Sequence, residues 1–188
     1  MSILVLDNYD SFTYNLVHLL KSLGAPGIEV HRNDKISLDE VARFDKILLS
    51  PGPGIPLEAG IMPLVVKKYA PTRKILGVCL GHQCIGEVFG GTLNNLKRPV
   101  HGKAVISKIT KRDEPLFNGV PDSFPTGRYH SWVVSHQEFP SDLVVTAEDS
   151  EGYIMALSHR TYDVKGVQFH PESVLTEHGA TIMKNWLA

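Results

Sequence analysis

The sequence predicts an α/β protein with an open, mostly parallel sheet in its first half and additional antiparallel strands in its second. Continuous apolar runs such as Ser2 to Leu6 read as strands buried on both faces, the habit of parallel sheets. Between such runs lies a segment whose apolar residues recur at helical spacing, and alternating strand and helix signals imply parallel crossovers. After about the chain's midpoint the runs shorten and are separated by Gly, Pro and Asp, which points to antiparallel additions.

The elements follow in order. Ser2 to Leu6 opens the sheet. Ser11 or Asp10 is placed to cap a helix carrying Phe12, Leu16, Leu19, Leu20 and Leu23, which Gly24 ends. Ile28 to His31, Asp45 to Ser50 and Lys74 to Val78 supply further strands. The second half offers Lys103 to Thr110, Tyr129 to Val134, Leu143 to Ala147, Ile154 to Ser158 and Val164 to Phe169, and Thr176 is placed to cap a terminal helix with Ile182, Met183, Trp186 and Leu187. No repeat, linker or low-complexity tract divides the chain, so residues 1–188 are expected to form a single domain.

Composition narrows the function classes. A chain of 188 residues with 43% hydrophobic content is large enough to enclose a core and a cleft. Nineteen basic and twenty acidic residues leave a net charge of −1, without the electrostatic footprint of a nucleic-acid or anionic-membrane binder. No apolar run approaches spanning length, and the strand at Ser2 leaves no room for a signal peptide. The expected location is the cytoplasm. Cys79 and Cys84 are poorly arranged for a disulfide, and the histidines show no metal-ligand spacing. Cys84 is expected to be core packing, and His82 a structural hydrogen-bonding residue.

The chemistry is concentrated in Gly77-Val-Cys-Leu-Gly-His-Gln83. Here the strand Lys74 to Val78 delivers a cysteine into a turn bracketed by Gly77 and Gly81, the spacing of a nucleophile elbow. A helix starting near Leu80 aims its unpaired N–H groups and positive dipole end at the sulfur, which favours thiolate. The base comes from Phe169-His-Pro-Glu172. In extended backbone His170 and Glu172 point to one side, so the carboxylate orients the imidazole from behind. Cys79, His170 and Glu172 thus form a nucleophile, base and orienter. Ligands of open α/β sheets bind outside the carboxyl ends of the strands, which brings Asn8 to Asp10, Pro51 to Gly54 and Cys79 to one rim. The glycines of that second loop let backbone N–H groups approach an oxyanion.

GVCLGHQ, Ser50-Pro-Gly-Pro-Gly54 and Phe169-His-Pro-Glu-Ser173 resemble the signatures of the class I, or triad, glutamine amidotransferases. Asp7 to Leu16 (DNYDSFTYNL), His101 to Lys103 (HGK), Gly127 to Ser131 (GRYHS) and Leu175 to Gly179 (LTEHG) are similar to the small glutaminase subunits of anthranilate synthase and aminodeoxychorismate synthase. The resemblance covers essentially the whole chain. It implies a flavodoxin-like fold with helices on both faces, and glutamine hydrolysis through a thioester on Cys79. It also implies oxyanion donors from Leu80 and the Gly52-Pro53-Gly54 loop, and head-group recognition by Gln83 and the backbone of Ser131 and Trp132. Family members usually carry Leu at the position of Trp132, a change that a backbone contact survives. No cofactor is implied in this chain. The expected partners are L-glutamine and a separate chorismate-binding synthase subunit, with a slight lean towards anthranilate. Two other readings stay open: a gamma-glutamyl or peptidase-like hydrolase, and a non-catalytic binding module.

Overall fold

The computed structural model describes residues 1–188, leaving aside the side chains of Lys97 and Arg98. Its strands are β1 (Ile3–Asp7), β2 (Ile28–Arg32), β3 (Lys46–Leu49), β4 (Lys74–Val78), β5 (Leu93–Ile109), β6 (Ser123–Val134), β7 (Leu143–Asp149), β8 (Ile154–His159) and β9 (Val164–Val167). Its α-helices are α1 (Thr13–Ser22), α2 (Met62–Tyr69), α3 (Leu80–Val88) and α4 (Gly179–Leu187). The strands form one sheet in the order β2-β1-β3-β4-β9-β8-β7-β5-β6. The first four and β9 run parallel, in the flavodoxin-like order, and the remainder are antiparallel additions.

Side-chain alternation explains why both faces of the parallel half are covered. Ile3, Val5, Leu48, Leu76 and Val78 point to the layer of α1 and α4, where they meet Leu16, Leu20, Ile182 and Trp186. Leu4, Leu6, Ile47, Leu49 and Ile75 point to α2 and α3, against Met62, Val66, Cys84 and Ile85. Cys84 is therefore core, as its setting implied.

Differences from expectation have local causes. β5 begins at Leu93 rather than Lys103, and β6 at Ser123 rather than Tyr129. Pro99 and Gly102 interrupt any strand-like alternation, and the pairing accommodates them by register shifts between Asn95 and Val100 and between His101 and Lys103. At α1 the cap is Phe12, whose side chain makes no capping bond. Asp10 acts just ahead of it, accepting the Phe12 N–H at 2.7 Å, while Asp7 accepts the Thr13 hydroxyl at 2.8 Å. The helix start is thus fixed by carboxylates outside the helix, and the Phe12 ring is left for other contacts.

The elbow between β4 and α3 is tightly packed. A Cβ at Gly77 would lie 2.7 Å from the His82 nitrogen, and one at Gly81 would lie 2.7 Å from both Cβ and carbonyl oxygen of Leu49. Neither neighbour can give way without moving backbone. Gly77→Ala and Gly81→Ala are each expected to destabilise the protein by about 1 to 3 kcal/mol in denaturant unfolding, the usual cost of overpacking. A loss below about 0.5 kcal/mol, the level of an ordinary surface change, would show that the turn relaxes freely.

Candidate active site

Cys79 stands between β4 and α3 with φ 52° and ψ −98°, a left-handed conformation rare for a residue with a side chain. Its N–H donates to the Val167 carbonyl of β9 at 2.8 Å, and its own carbonyl accepts the Gln83 N–H at 3.0 Å. The strain sits on the cysteine itself, and the flanking glycines serve it by allowing close packing. Cys79 is thereby the cap of α3, at the positive end of that helix.

His170 follows β9, the neighbour of β4, so sheet order brings the expected base and the expected nucleophile together. His170 Nδ1 lies 2.7 Å from Glu172 Oε1, and both side chains are almost wholly buried. An ionised carboxylate only accepts, so Nδ1 carries the hydrogen and Nε2 is the working atom. Among the described residues Nε2 has no hydrogen-bond partner. Burial alone would push the His170 pKa down, but the nearby Cys79 and the hydrogen bond and charge of Glu172 outweigh it and lift the value to about 10. The pair is thereby poised as imidazolium opposite sulfur.

The segment carrying this base is anchored on three sides. The Thr176 hydroxyl donates to the His170 carbonyl at 2.6 Å and accepts the Gly127 N–H at 2.9 Å, while the His170 N–H donates to the Gly127 carbonyl at 3.0 Å. Thr176 is therefore not the cap of α4, whose first residue is Gly179. Its hydroxyl is taken by the catalytic segment, and a Cβ at Gly179 would lie 2.8 Å from the Pro171 carbonyl carbon, so only glycine lets α4 approach. Ring edges complete the enclosure. Phe12 and Tyr129 meet the imidazole at centroid distances of 5.5 and 4.9 Å.

Beside Cys79 opens a cavity of about 250 Å³ lined by Gly52, Pro53, Gly54, Leu80, Gln83, Ser131 and Trp132, together with Tyr129, His130, His101 and the β5 bulge. All the substrate-contact residues expected from the sequence thus line one cavity with Cys79. Gly52 is held close, since a Cβ there would lie 2.6 Å from the Asn8 Cβ and 2.8 Å from Leu80 Cδ2. Asn8 in turn is fixed by its N–H to the Ser50 hydroxyl, its amide to the Ser50 carbonyl and an amide hydrogen from Asn33. Gln83 is no solvent-facing amide. It is buried, with Nε2 donating to the Trp132 carbonyl at 2.9 Å and to Gln168 Oε1 at 3.3 Å.

Gln168 escaped sequence reasoning, although its amide donates to Cys79 Sγ at 3.5 Å. Its place just beyond a strand carried no local signal. His82 departs from expectation: it is wholly buried, burial pushes its pKa to about 4, and neither ring nitrogen has a hydrogen-bond partner among the described residues. Its Nδ1 lies over Gly166, where a Cβ would sit 2.8 Å away, so its role is to fill space between α3 and β9. Among the described residues no group of three or more His, Cys, Asp or Glu is arranged to hold a metal ion, and no helix is long and apolar enough to cross a membrane.

The family model for glutamine amidotransferase class-I matches residues 4–188. The chain is a class I glutamine amidotransferase. It is 50% identical to the anthranilate synthase component 2 of Thermus thermophilus, over the whole chain and 92% of that protein. It is 44% identical to the aminodeoxychorismate/anthranilate synthase component 2 of Bacillus subtilis, over 98% of the chain and 95% of that protein. Against the bifunctional protein TrpGD of Thermotoga maritima it is 47% identical and spans 32% of the length. The crystal structure of a putative GMP synthase subunit from Thermoplasma acidophilum superposes with a TM-score of 0.87 at 27% identity, covering this whole chain and 92% of the other. The amidotransferase fold expected from the motifs is therefore the observed one.

The pKa of His170 gives a test of sign. Its proton is held because Cys79 and Glu172 favour the charged ring, so removing either should lower the titration. In ¹⁵N NMR the His170 ring should remain imidazolium through neutral pH and lose its proton only as pH approaches about 10. Glu172→Gln should move that midpoint down towards the ordinary histidine range. An unmoved midpoint would remove Glu172 from the task of holding the charge.

Proposed function

We propose that this amidotransferase hydrolyses L-glutamine and passes the ammonia to a separate chorismate-binding synthase subunit, in the formation of anthranilate. The observation that carries the glutaminase reading is the His170–Glu172 pair set against a cysteine held at an elbow. Cys79 Sγ attacks the side-chain amide carbon of glutamine, and the C–N bond breaks as His170 gives its proton to the departing ammonia. The product is a glutamyl thioester. His170, now neutral, takes a proton from water, whose oxygen attacks the thioester carbon, and the C–S bond breaks to release glutamate and thiolate. Leu80 and the Gly52-Pro53-Gly54 loop supply backbone donors to the oxyanion in both steps, where one lost donor costs about 3 to 4 kcal/mol in comparable sites. Gln83, Ser131 and Trp132 hold the amino acid head group. The chemistry needs no cofactor in this chain.

The partner follows from the fate of ammonia, which water would protonate and dilute unless it is delivered directly. Two relatives of nearly equal length to this chain are named component 2 of an anthranilate synthase, which supports a synthase as that partner. The Bacillus subtilis relative bears both pathway names, so delivery to an aminodeoxychorismate synthase is the second reading. The reducing cytoplasm suits a free, reactive thiol. The cavity of about 250 Å³ favours a single amino acid over a peptide, which weighs against a peptidase-like hydrolase.

Reconstitution with each candidate synthase tests the pathway: glutamine-dependent product should form with the anthranilate enzyme, and formation only with the other would move the assignment. In the productive complex Cys79→Ser should abolish the glutamine-dependent reaction while the reaction fed with ammonium salt persists. Retained glutamine turnover near the wild-type rate would remove Cys79 as nucleophile. Gln83→Ala should raise the KM for glutamine about tenfold or more while Cys79 alkylation by iodoacetamide is little changed, the pattern of lost ground-state binding. Unchanged glutamine kinetics would take Gln83 out of recognition.

A further inference from the structure

A chain of buried hydrogen bonds runs from the far side of the sheet into the glutamine cavity. It begins at Asp149, whose Oδ1 accepts the N–H groups of Glu151 and Tyr153 at 3.0 and 2.9 Å in the turn between β7 and β8. Asp149 Oδ2 pairs with Arg128 Nη1, with side chains 1% and 3% exposed. Arg128 Nε donates to His130 Nε2 at 3.0 Å, and His130 Nδ1 lies 3.0 Å from the Trp132 carbonyl. That carbonyl also accepts from Gln83 Nε2.

Two groups set the directions: the guanidinium fixes its bond to His130, and the Trp132 carbonyl fixes those from His130 and Gln83. A guanidinium has only donors, so His130 Nε2 must accept and Nδ1 must carry the hydrogen. A carbonyl only accepts, so the Trp132 oxygen receives Nδ1–H and obliges Gln83 to turn its NH₂ towards it. The second hydrogen of that NH₂ goes to Gln168 Oε1. Gln83 Oε1 is left without a partner among the described residues, on a side chain that lines the cavity.

We propose that Arg128 and His130 are positioning residues for the substrate: they hold the Trp132 carbonyl where it takes the Gln83 NH₂, which leaves the Gln83 oxygen as an acceptor facing the cavity. The proposal rests on the glutamine reading above, and it specifies the polarity of that site: Gln83 meets a donor of the substrate, its α-ammonium, and not its carboxylate. The backbone explains why such a relay is needed. β6 is the last strand of the sheet, and the register passes from Asn95 opposite Trp132 directly to Val100 opposite His130. Among the described residues Ser131 has no partner in that register, and there the His130 and Gln83 side chains hold the Trp132 carbonyl. Burial and the Arg128 charge push the His130 pKa down to about 3, so the ring stays neutral and the chain keeps its direction at working pH.

Two substitutions separate positioning from simple packing. His130→Gln can still accept from Arg128 but loses the donor to the Trp132 carbonyl, whereas His130→Asn places an amide NH₂ near the position of Nδ1 and retains it. In the complex with the synthase, His130→Gln should raise the glutamine KM about tenfold with kcat changed less than about threefold, while His130→Asn stays within about threefold in KM. Alkylation of Cys79 by iodoacetamide should be unaffected in both. Equal KM shifts in the two variants, or a fall in kcat with unchanged KM, would overturn the proposal. A measurement on the wild-type protein stands independently of how the variants fold. ¹⁵N NMR should report His130 as the neutral Nδ1–H tautomer from pH 5 to 8, and an Nε2–H tautomer or an imidazolium would overturn the relay. Absence of glutamine turnover in the wild-type complex would instead defeat the glutamine reading, leaving the tautomer result to decide the direction of the bonds.

Discussion

The left-handed backbone at Cys79 is the constraint on which the site depends, because a residue with a side chain held there costs of order 1 to 3 kcal/mol and persists only when its surroundings fix it. They do so from three directions. The Val167 carbonyl takes the cysteine N–H, the Gln83 N–H takes its carbonyl, and the packing of Gly77 and Gly81 brings α3 down onto β3 and β4. Each of these contacts also sets another part of the machinery. Val167 stands three residues before the base, Gln83 forms the cavity wall, and Gly81 lies against the strand that leads to the Gly52 loop.

The parallel and antiparallel halves of the sheet contribute differently. Carboxyl ends of β1, β3 and β4 make a rim of loops joined by the Asn8–Ser50 hydrogen bonds, and this rim bears the nucleophile and the expected oxyanion donors. The opposite wall is β6, an antiparallel edge strand that presents Tyr129 to the imidazole and residues 130–132 to the cavity. A parallel sheet alone would leave the nucleophile on an open ledge. The added strands give that ledge a second wall, and the buried Arg128–Asp149 pair ties this wall to the hairpin behind it.

What was legible in the sequence was whatever chemistry resides in short segments. The elbow and the alternation of strands and helices are written within a few residues, and His170 and Glu172 do meet, although in a turn closed by the Ser173 N–H on the His170 carbonyl and not in the extended backbone expected. Contacts between distant segments were not legible. Gln168 reaches Cys79 only because β9 lies beside β4, and Thr176 leaves its expected capping role to join the His170 carbonyl to the Gly127 N–H of β6. Arg128 and His130 sat within a motif that marked kinship, but their bonds depend on a hairpin more than a dozen residues away. The length of β5 was hidden for a different reason: proline and glycine read locally as breaks, while the sheet absorbs them as bulges.

The place of β9 in the sheet has a consequence for how the protein comes to be folded. Although it is the last strand in sequence, it occupies the middle of the sheet, pairing with β4 on one side and β8 on the other. Before it arrives, β4 has an unpaired edge and the two halves of the sheet have no shared strand. The decisive docking therefore joins segments almost ninety residues apart, a non-local closure of the kind that slows folding. Only at that closure does Cys79 gain the carbonyl that holds its backbone and the proximity of His170. A chain that emerges from the ribosome thus lacks the arrangement around Cys79 until β9 has closed the sheet, and that arrangement is a property of the closed sheet and not of the elbow alone.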